Sequence, residues 1–322
     1  MAHMTTPDTT TPAVAPTLVV LAAGRARRYG GVKPLAPVGP NGEAVIDLLA
    51  SDALDAGFGS LVLVVGPGTG PAIRYRVGRN WPGAVAVRFA VQQAPLGTVD
   101  AALAAVPDLA DGAPFGVANA DDLYGQAALA QLAGHLAAVG SNCLVAYRLR
   151  NAVVGDAPVT RGVCQVGADG LLQSVDERRQ VCAAGDGRFL AKDGRSPEEL
   201  DGDELVSMNL WGFGPDMPAV FRAAMAEAAM AKVATAKVAS GPAGATPDAP
   251  TPDNEVLLPE LVGRLLAGDR PHGLSAEPFR VLRAEGRCIG VTHPDDLALV
   301  QDDLAGQIAR GERPAELWDA VR

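Results

Sequence analysis

The sequence predicts the α/β class: a Rossmann-like, doubly wound, mostly parallel sheet with an elaborated C-terminal half. Three observations carry this. Short β-branched apolar runs such as "TLVVLA" (17–22) and "SLVLVVG" (60–66) are continuous rather than alternating, as in strands buried on both faces. Between them lie stretches with apolar residues at helical spacing, and strand and helix alternate from Thr17 to Arg150. The 322 residues are 48% hydrophobic but only 4% aromatic, so Val, Leu and Ala must fill a sizeable core.

Taken in order, "TLVVLA" is the first strand and ends at a glycine-rich segment. "EAVIDLLASDALDAGF" has helical spacing and stops at Gly57. "SLVLVVG" is the second strand and "AVAVRFAV" (84–91) the third. "TVDAALAAVPDL" reads as a helix, "PFGVANA" (114–120) as the fourth strand, "GQAALAQLAGHLAAVG" as a helix and "CLVAYRLR" as a strand. Beyond 150 the pattern changes. "GVCQVGADGLLQSVDE" predicts a hairpin turning at Asp169-Gly170. "LVSMNLWGFG" (205–214) is a strand, 216–231 a helix, 255–267 a helix, "FRVLRA" a strand, and Pro294 to about Arg310 a last helix. Residues 1–16, Thr/Pro-rich behind a vector-like "MAHM", predict a disordered tail. "SGPAGATPDAPTPDN" (240–254) predicts a mobile insertion, taken as about 236–254. There are no internal repeats, and 17–322 is expected to be one domain.

The formal net charge of −10 excludes a general nucleic-acid binder, which needs a broad basic face. Cys143, Cys164, Cys182 and Cys288 form no CxxC pair and the four histidines no zinc spacing. With no signal peptide and no apolar run near the ~20 residues of a membrane span, a cytoplasmic protein with reduced thiols is expected.

Against this acidic background, "LAAGRARRYGGVKPL" (21–35) gathers Arg25, Arg27, Arg28 and Lys33 with glycines at 24, 30 and 31. It follows a buried strand, so it lies at the carboxyl end of the sheet, where open α/β folds bind ligands. Glycines let backbone N–H groups approach an oxyanion, and Arg28 and Lys33 can make charge-assisted contacts to phosphates. A dinucleotide fingerprint and a Walker loop are both absent. In "VQQAPLGTVDAAL" (91–103), a glutamine amide can donate to and accept from one base edge. Adjacent acids in "VANADDLYG" (117–125) suit a hard cation that keeps several waters.

These three stations together resemble the sugar-1-phosphate nucleotidylyltransferases, the enzymes that make NDP-sugars, whose signature is L-A-A-G-x-G-T-R-x…K-P. Leu21, Ala22, Ala23, Gly24, Arg28, Lys33 and Pro34 match it in order, with Ala26 in place of the second loop glycine. "VGPNGEAVID" and "SMNLWGF" extend the likeness. The resemblance implies that 17–140 is the nucleotide-binding half and 141–322 the acceptor half. It implies Arg28 and Lys33 as catalytic cations, with Leu21, Ala22, Ala23, Gly24, Gln92, Gln93, Gly97 and Thr98 at the nucleotide. Gln92 is the first choice for the base and Gln93 the second. It implies Asp121 as the Mg²⁺ ligand, with Asp122 the runner-up. A second metal-binding Asp, common in relatives, is replaced by Gly290. On the acceptor side Arg161 would meet a phosphate, and Glu177 and Asn209 would meet hydroxyls. The implied reaction joins an NTP and a sugar-1-phosphate or cyclitol phosphate, releasing pyrophosphate. The alternatives are a non-sugar phosphate or phosphonate acceptor, and a non-catalytic nucleotide or sugar-phosphate sensor. The partners expected are the NTP and a small phosphorylated acceptor, with no nucleic acid and no membrane. A homo-oligomer is left open.

Overall fold

The computed structural model describes residues 15–24, 31–153, 155, 157–239, 255–291 and 296–318, without side chains for 233–239. Its first four strands are the apolar runs of the N-terminal half: β1 (Thr17–Ala22), β2 (Ser60–Val65), β3 (Val87–Val91) and β4 (Phe115–Asn119). They run parallel in the order β3-β2-β1-β4. β1 is central and buried on both faces. Leu18 and Val20 pack into one half of the core, and Val19 into the other. This is the burial that a continuous apolar run requires.

The helices between these strands cover the two faces. α1 (Val45–Asp55) packs with α4 (Gln126–Ala138) on one side, and α3 (Thr98–Ala105) lies on the other. The sequence reading missed α2 (Gly70–Asn80). Only Gly70, Ile73 and Val77 are buried in it, so it offers little apolar periodicity, and it opens on Gly-Pro. The third strand starts at Val87 rather than residue 84, because 81–86 form a turn into it.

The C-terminal half is antiparallel where it joins this frame. β5 (Asp122–Leu123), β6 (Cys143–Arg148) and the short α5 (Leu149–Ala152) precede β7 (Val159–Val166). β7 and β8 (Leu172–Gly185) form the expected hairpin, with Gly170 at φ 77°. β9 (Arg188–Ala191) and β10 (Glu199–Asp201) extend it outward. β11 (Leu205–Phe213) joins the two halves: its start pairs with β6 and β7, its end with β6 and β4, and its register shifts between Ser207 and Trp211. α6 (Met217–Ala239) and α7 (Leu258–Leu266) follow, and then β12 (Arg280–Ala284), parallel to β6. β13 (Ile289–Gly290) pairs antiparallel with β5, and α8 (Asp296–Ala309) is the last helix of the described residues.

The helix expected at 216–231 runs on to Ala239, so 236–239, read as insertion, are helical. Residues 240–254 lie outside the described residues, as do 1–14. Pro16 is already fixed, its carbonyl accepting the Gly59 N–H at 3.0 Å. All four cysteines are free. Among the described residues no helix is long and apolar enough to cross a membrane.

Candidate active site

At the carboxyl ends of β1 and β4 the sheet opens into a cavity of about 450 Å³. Lys33, Asp121, Arg161, Glu177 and Asn209 all line it. β1 ends beside β4, and the Ala120 N–H donates to the Leu21 carbonyl (3.1 Å), which fixes the start of the acidic turn. Asp121 follows immediately. Lys33 opens a single 3-10 turn with Pro34 behind it, and its Nζ lies 3.6 Å from Asp121 Oδ2. Arg25 to Gly30, including Arg28, lie outside the described residues.

Asp122 is held from three sides. Asn119 Nδ2 donates to its Oδ2 at 3.0 Å, and the Tyr124 hydroxyl stands 3.5 Å from the same oxygen. Gly290 faces it across the β5–β13 pair, and a Cβ there would lie 2.2 Å from Asp122 Oδ1. The carboxylate of Asp122 therefore fills the space that a side chain at 290 would need. Burial first, and then the charge of Asp121, pushes its carboxyl up to about 7.

Arg161 comes from β7 and is pinned by carbonyls rather than by an acid. Its Nε and Nη2 donate to Ala152 O (2.9 and 2.6 Å), and Nη1 donates to Thr160 O (2.8 Å). Three of its five N–H groups are used in this way, leaving two for the cavity. Burial lowers its pKa, and the charge of Asp122 is the largest influence opposing that shift. Glu177 on β8 pairs with Arg179 at 3.3 Å. Arg178, which stands between them in sequence, turns the other way. It is buried against Asp193, with Nε–Oδ2 at 2.8 Å and Nη2–Oδ1 at 3.0 Å.

Asn209 sits where β11 shifts register. Its φ is 59°, a left-handed conformation that Asn tolerates better than most residues. Its Oδ1 accepts the Trp211 indole N–H at 3.2 Å. The sequence reading missed Asn119, Gln180 and Ser207, which also line the cavity. The signal for Ser207 was a polar residue in an apolar strand, two residues before Asn209.

The nucleotide loop differs in detail from expectation. Gln92 is buried, and its Nε2 donates to Gly97 O and Asp100 Oδ2, both at 2.9 Å. Its donors brace the loop and do not point outward. Gln93, the second choice, is exposed. Gly97 does admit a close backbone approach, but by Val256: a Cβ on Gly97 would lie 2.4 Å from Val256 O. Thr98 Oγ1 accepts the Leu258 N–H at 2.8 Å. Leu21 and Ala22 are strand residues, and the Ala22 carbonyl accepts the Thr69 hydroxyl at 2.8 Å. Ala23 and Gly24 follow at the strand end, with Gly24 exposed.

A larger cavity, about 600 Å³, lies beside Asp47, Arg76 and Trp318. It carries less chemistry, because the Asp47 carboxylate is filled by Arg76 (2.9 Å), Trp81 Nε1 (2.7 Å) and the Ala44 N–H (2.8 Å). The smaller cavity is the candidate site.

A family model described as a MobA-like NTP transferase domain matches residues 18–239, which include β1 to β11 and much of the cavity lining. The fold is similar to that of HddC from Yersinia pseudotuberculosis, with a TM-score of 0.54 and 14% identity over 89% of this chain and 99% of that one. A second structure, HddC complexed with GMP-PN, gives 0.53 and 15% over the same shares. At such identities the likeness speaks for the fold. No curated protein matches the chain in sequence.

Proposed function

From the premise that this chain belongs to the MobA-like NTP transferase domain family and is a nucleotidylyltransferase, we propose that it transfers a nucleotidyl group from an NTP to a sugar-1-phosphate or cyclitol phosphate, with release of pyrophosphate. The observation that carries the reading is the convergence of Lys33, Asp121, Arg161, Glu177 and Asn209, from five separate segments, on one cavity at the sheet's carboxyl end.

In this reading the acceptor phosphate docks on the two free N–H groups of Arg161. A planar, always-charged guanidinium already fixed by carbonyls loses little freedom when an anion arrives. Lys33, joined by Arg28, stabilises negative charge on the triphosphate as the α-phosphorus is attacked in line and pyrophosphate leaves. The acceptor dianion is nucleophilic near neutral pH, so no general base is required. Glu177 and Asn209 orient the acceptor through hydroxyls, and Gln93, which is exposed, meets the base while Gln92 stiffens the loop beneath it.

The donor set fits Mg²⁺, a hard cation that commonly takes one or two carboxylates and fills the rest with phosphate and water. Asp121 would hold it, with Asp122 adjacent. Position 290 contributes nothing, since any side chain there meets Asp122. When bound, the ion would neutralise phosphate oxygens.

Among the described residues no aromatic ring lines the cavity, which argues against a quaternary ammonium acceptor such as choline phosphate. The test crosses four NTPs with hexose 1-phosphates, cyclitol phosphates and choline phosphate, with and without EDTA, and reads pyrophosphate. Guanine nucleotides belong in the first round, given the likeness to HddC complexed with GMP-PN. Metal-dependent release with a hydroxylated acceptor is expected. Nucleotide binding with no pyrophosphate from any pair would make the protein a sensor, and the best turnover with choline phosphate would refute the acceptor class.

A further inference from the structure

The main chain of residues 256–258 lies across the nucleotide loop and is tied to it by three hydrogen bonds. Val256 N–H donates to Leu96 O (2.9 Å), Val99 N–H to Val256 O (3.0 Å), and Leu258 N–H to Thr98 Oγ1 (2.8 Å). Gly97 has φ 96° and ψ −179°, a conformation open essentially to glycine alone, and any Cβ would enter the Val256 backbone. Leu258 is the first residue of α7 and is fully buried. An amide at a helix start has no partner within its own helix, so the Thr98 hydroxyl satisfies it from outside. The next residue, Pro259, lines the acceptor cavity, and α7 packs along β8, the strand that carries Glu177. A buried residue between two rigid connections cannot move alone. A shift of the 96–98 loop is therefore handed to the wall of the acceptor cavity.

We infer that the first turn of α7 couples the nucleotide loop to the acceptor cavity, with Thr98 as the positioning residue that transmits the coupling. The inference rests on the proposed reading of 92–98 as the base-binding loop. A base seated on that loop stiffens it, the Thr98–Leu258 bond stiffens α7, and Pro259 is then in place when the acceptor enters. By reciprocity, an occupied acceptor cavity tightens nucleotide binding by the same factor.

The test is amide hydrogen exchange on the full-length protein with Mg²⁺ and a non-hydrolysable analogue of each of the four NTPs. With the analogue that binds, exchange should slow in 92–100 and, by about fivefold or more, in 258–266. Thr98→Val should keep the first protection and lose the second, and Thr98→Ser should retain both. In steady state, Thr98→Val should raise the acceptor KM about fivefold at saturating NTP and the NTP KM by a similar factor at saturating acceptor, and Thr98→Ser should raise neither. Protection of 92–100 without 258–266 in the wild type overturns the coupling and leaves the function standing. Protection in neither segment with any analogue overturns the base-loop reading and the coupling with it. Coupling that survives Thr98→Val removes Thr98 from the role. Should that variant not fold, the wild-type and Thr98→Ser exchange patterns decide the coupling.

Discussion

Adding one methyl group at Gly290 should be costly only because of Asp122. The Cβ of Gly290→Ala would fall 2.2 Å from Asp122 Oδ1, far inside van der Waals contact, and 3.4 Å from the Asp121 carbonyl, which is ordinary contact. Gly290 does not have positive φ, so alanine brings no backbone strain of its own. The carboxylate must swing away by about 1 Å or more and give up the Asn119 hydrogen bond. Overpacking of this kind and the loss of a bond to a charged acceptor each cost about 1–3 kcal/mol. Because one movement relieves the other, about 2 kcal/mol in total is expected. In an Asp122→Ala background the obstacle is gone, and Gly290→Ala should be neutral or stabilising by about 0.5 kcal/mol through the lost freedom of the unfolded chain. The double-mutant cycle read by urea unfolding should therefore give a coupling of about 2 kcal/mol. Equal costs in the two backgrounds, within about 0.5 kcal/mol, would show that Asp122 does not occupy the space facing 290. By the same geometry, Gly290→Asp should expel Asp122 rather than add a carboxylate beside it.

Three further outcomes are expected. Lys33→Ala should lower turnover about 10²-fold while costing about 1 kcal/mol of stability or less, since its pair with Asp121 is only partly buried; retention of more than half the turnover would refute its role. Gln92→Ala should lower the melting temperature by removing the brace on Gly97 and Asp100, whereas Gln93→Ala should leave melting unchanged and blunt discrimination between NTPs; the reverse pattern would exchange their roles. Asp193 is held well below the usual carboxylate range by the Arg178 guanidinium, and further by the Arg179 and Arg195 amides. A depressed folded pKa means stability that is fully present above the unfolded value of 3.8 and is lost as pH falls through the lower folded value. The gap in melting temperature between wild type and Asp193→Asn should thus be widest above about pH 4 and close on acidification, and a gap that widens in acid would contradict the argument.

The parallel strands were legible because a strand buried on both faces needs an unbroken apolar run, and few other elements read that way. The cavity was legible in its parts because Lys33 and Asp121 each follow a strand end, and strand ends gather on one edge of a parallel sheet. What the sequence hid depends on partners distant in the chain. Gly97 reads as room for a base until Val256, far along the chain, is seen lying on it. Arg178 stands between Glu177 and Arg179 in sequence, and only the β8–β9 hairpin brings Asp193 beneath it. The choice between Gln92 and Gln93 follows from the ladder: Gln92 N–H continues β3 by donating to Val65 O, so parity turns Gln92 inward and Gln93 outward. That ladder bond could not be seen from the sequence, although the strand's end at Val91 could.

The cationic loop in an acidic chain also looks different once the cavity is assembled. Lys33 and Arg161 face Asp121, Asp122 and Glu177 in the same space, so among the described residues the cavity lining is not a positive basin. Lys33 is partly neutralised by Asp121, and the charge of Arg161 is answered first by Asp122. The Asp121 pairing holds Lys33, and the Ala152 and Thr160 carbonyls hold Arg161, in place before any substrate arrives. The nearby carboxylates also make each cation conditional: a group that takes up the charge of Asp121 frees Lys33, 3.6 Å away, to turn toward a phosphate. A net charge of −10 and a Debye length of about 8 Å at physiological ionic strength leave the distant acids with little influence here. In the proposed reaction, the binding of the two anions is therefore decided inside the cavity, by whether Asp121 is already engaged.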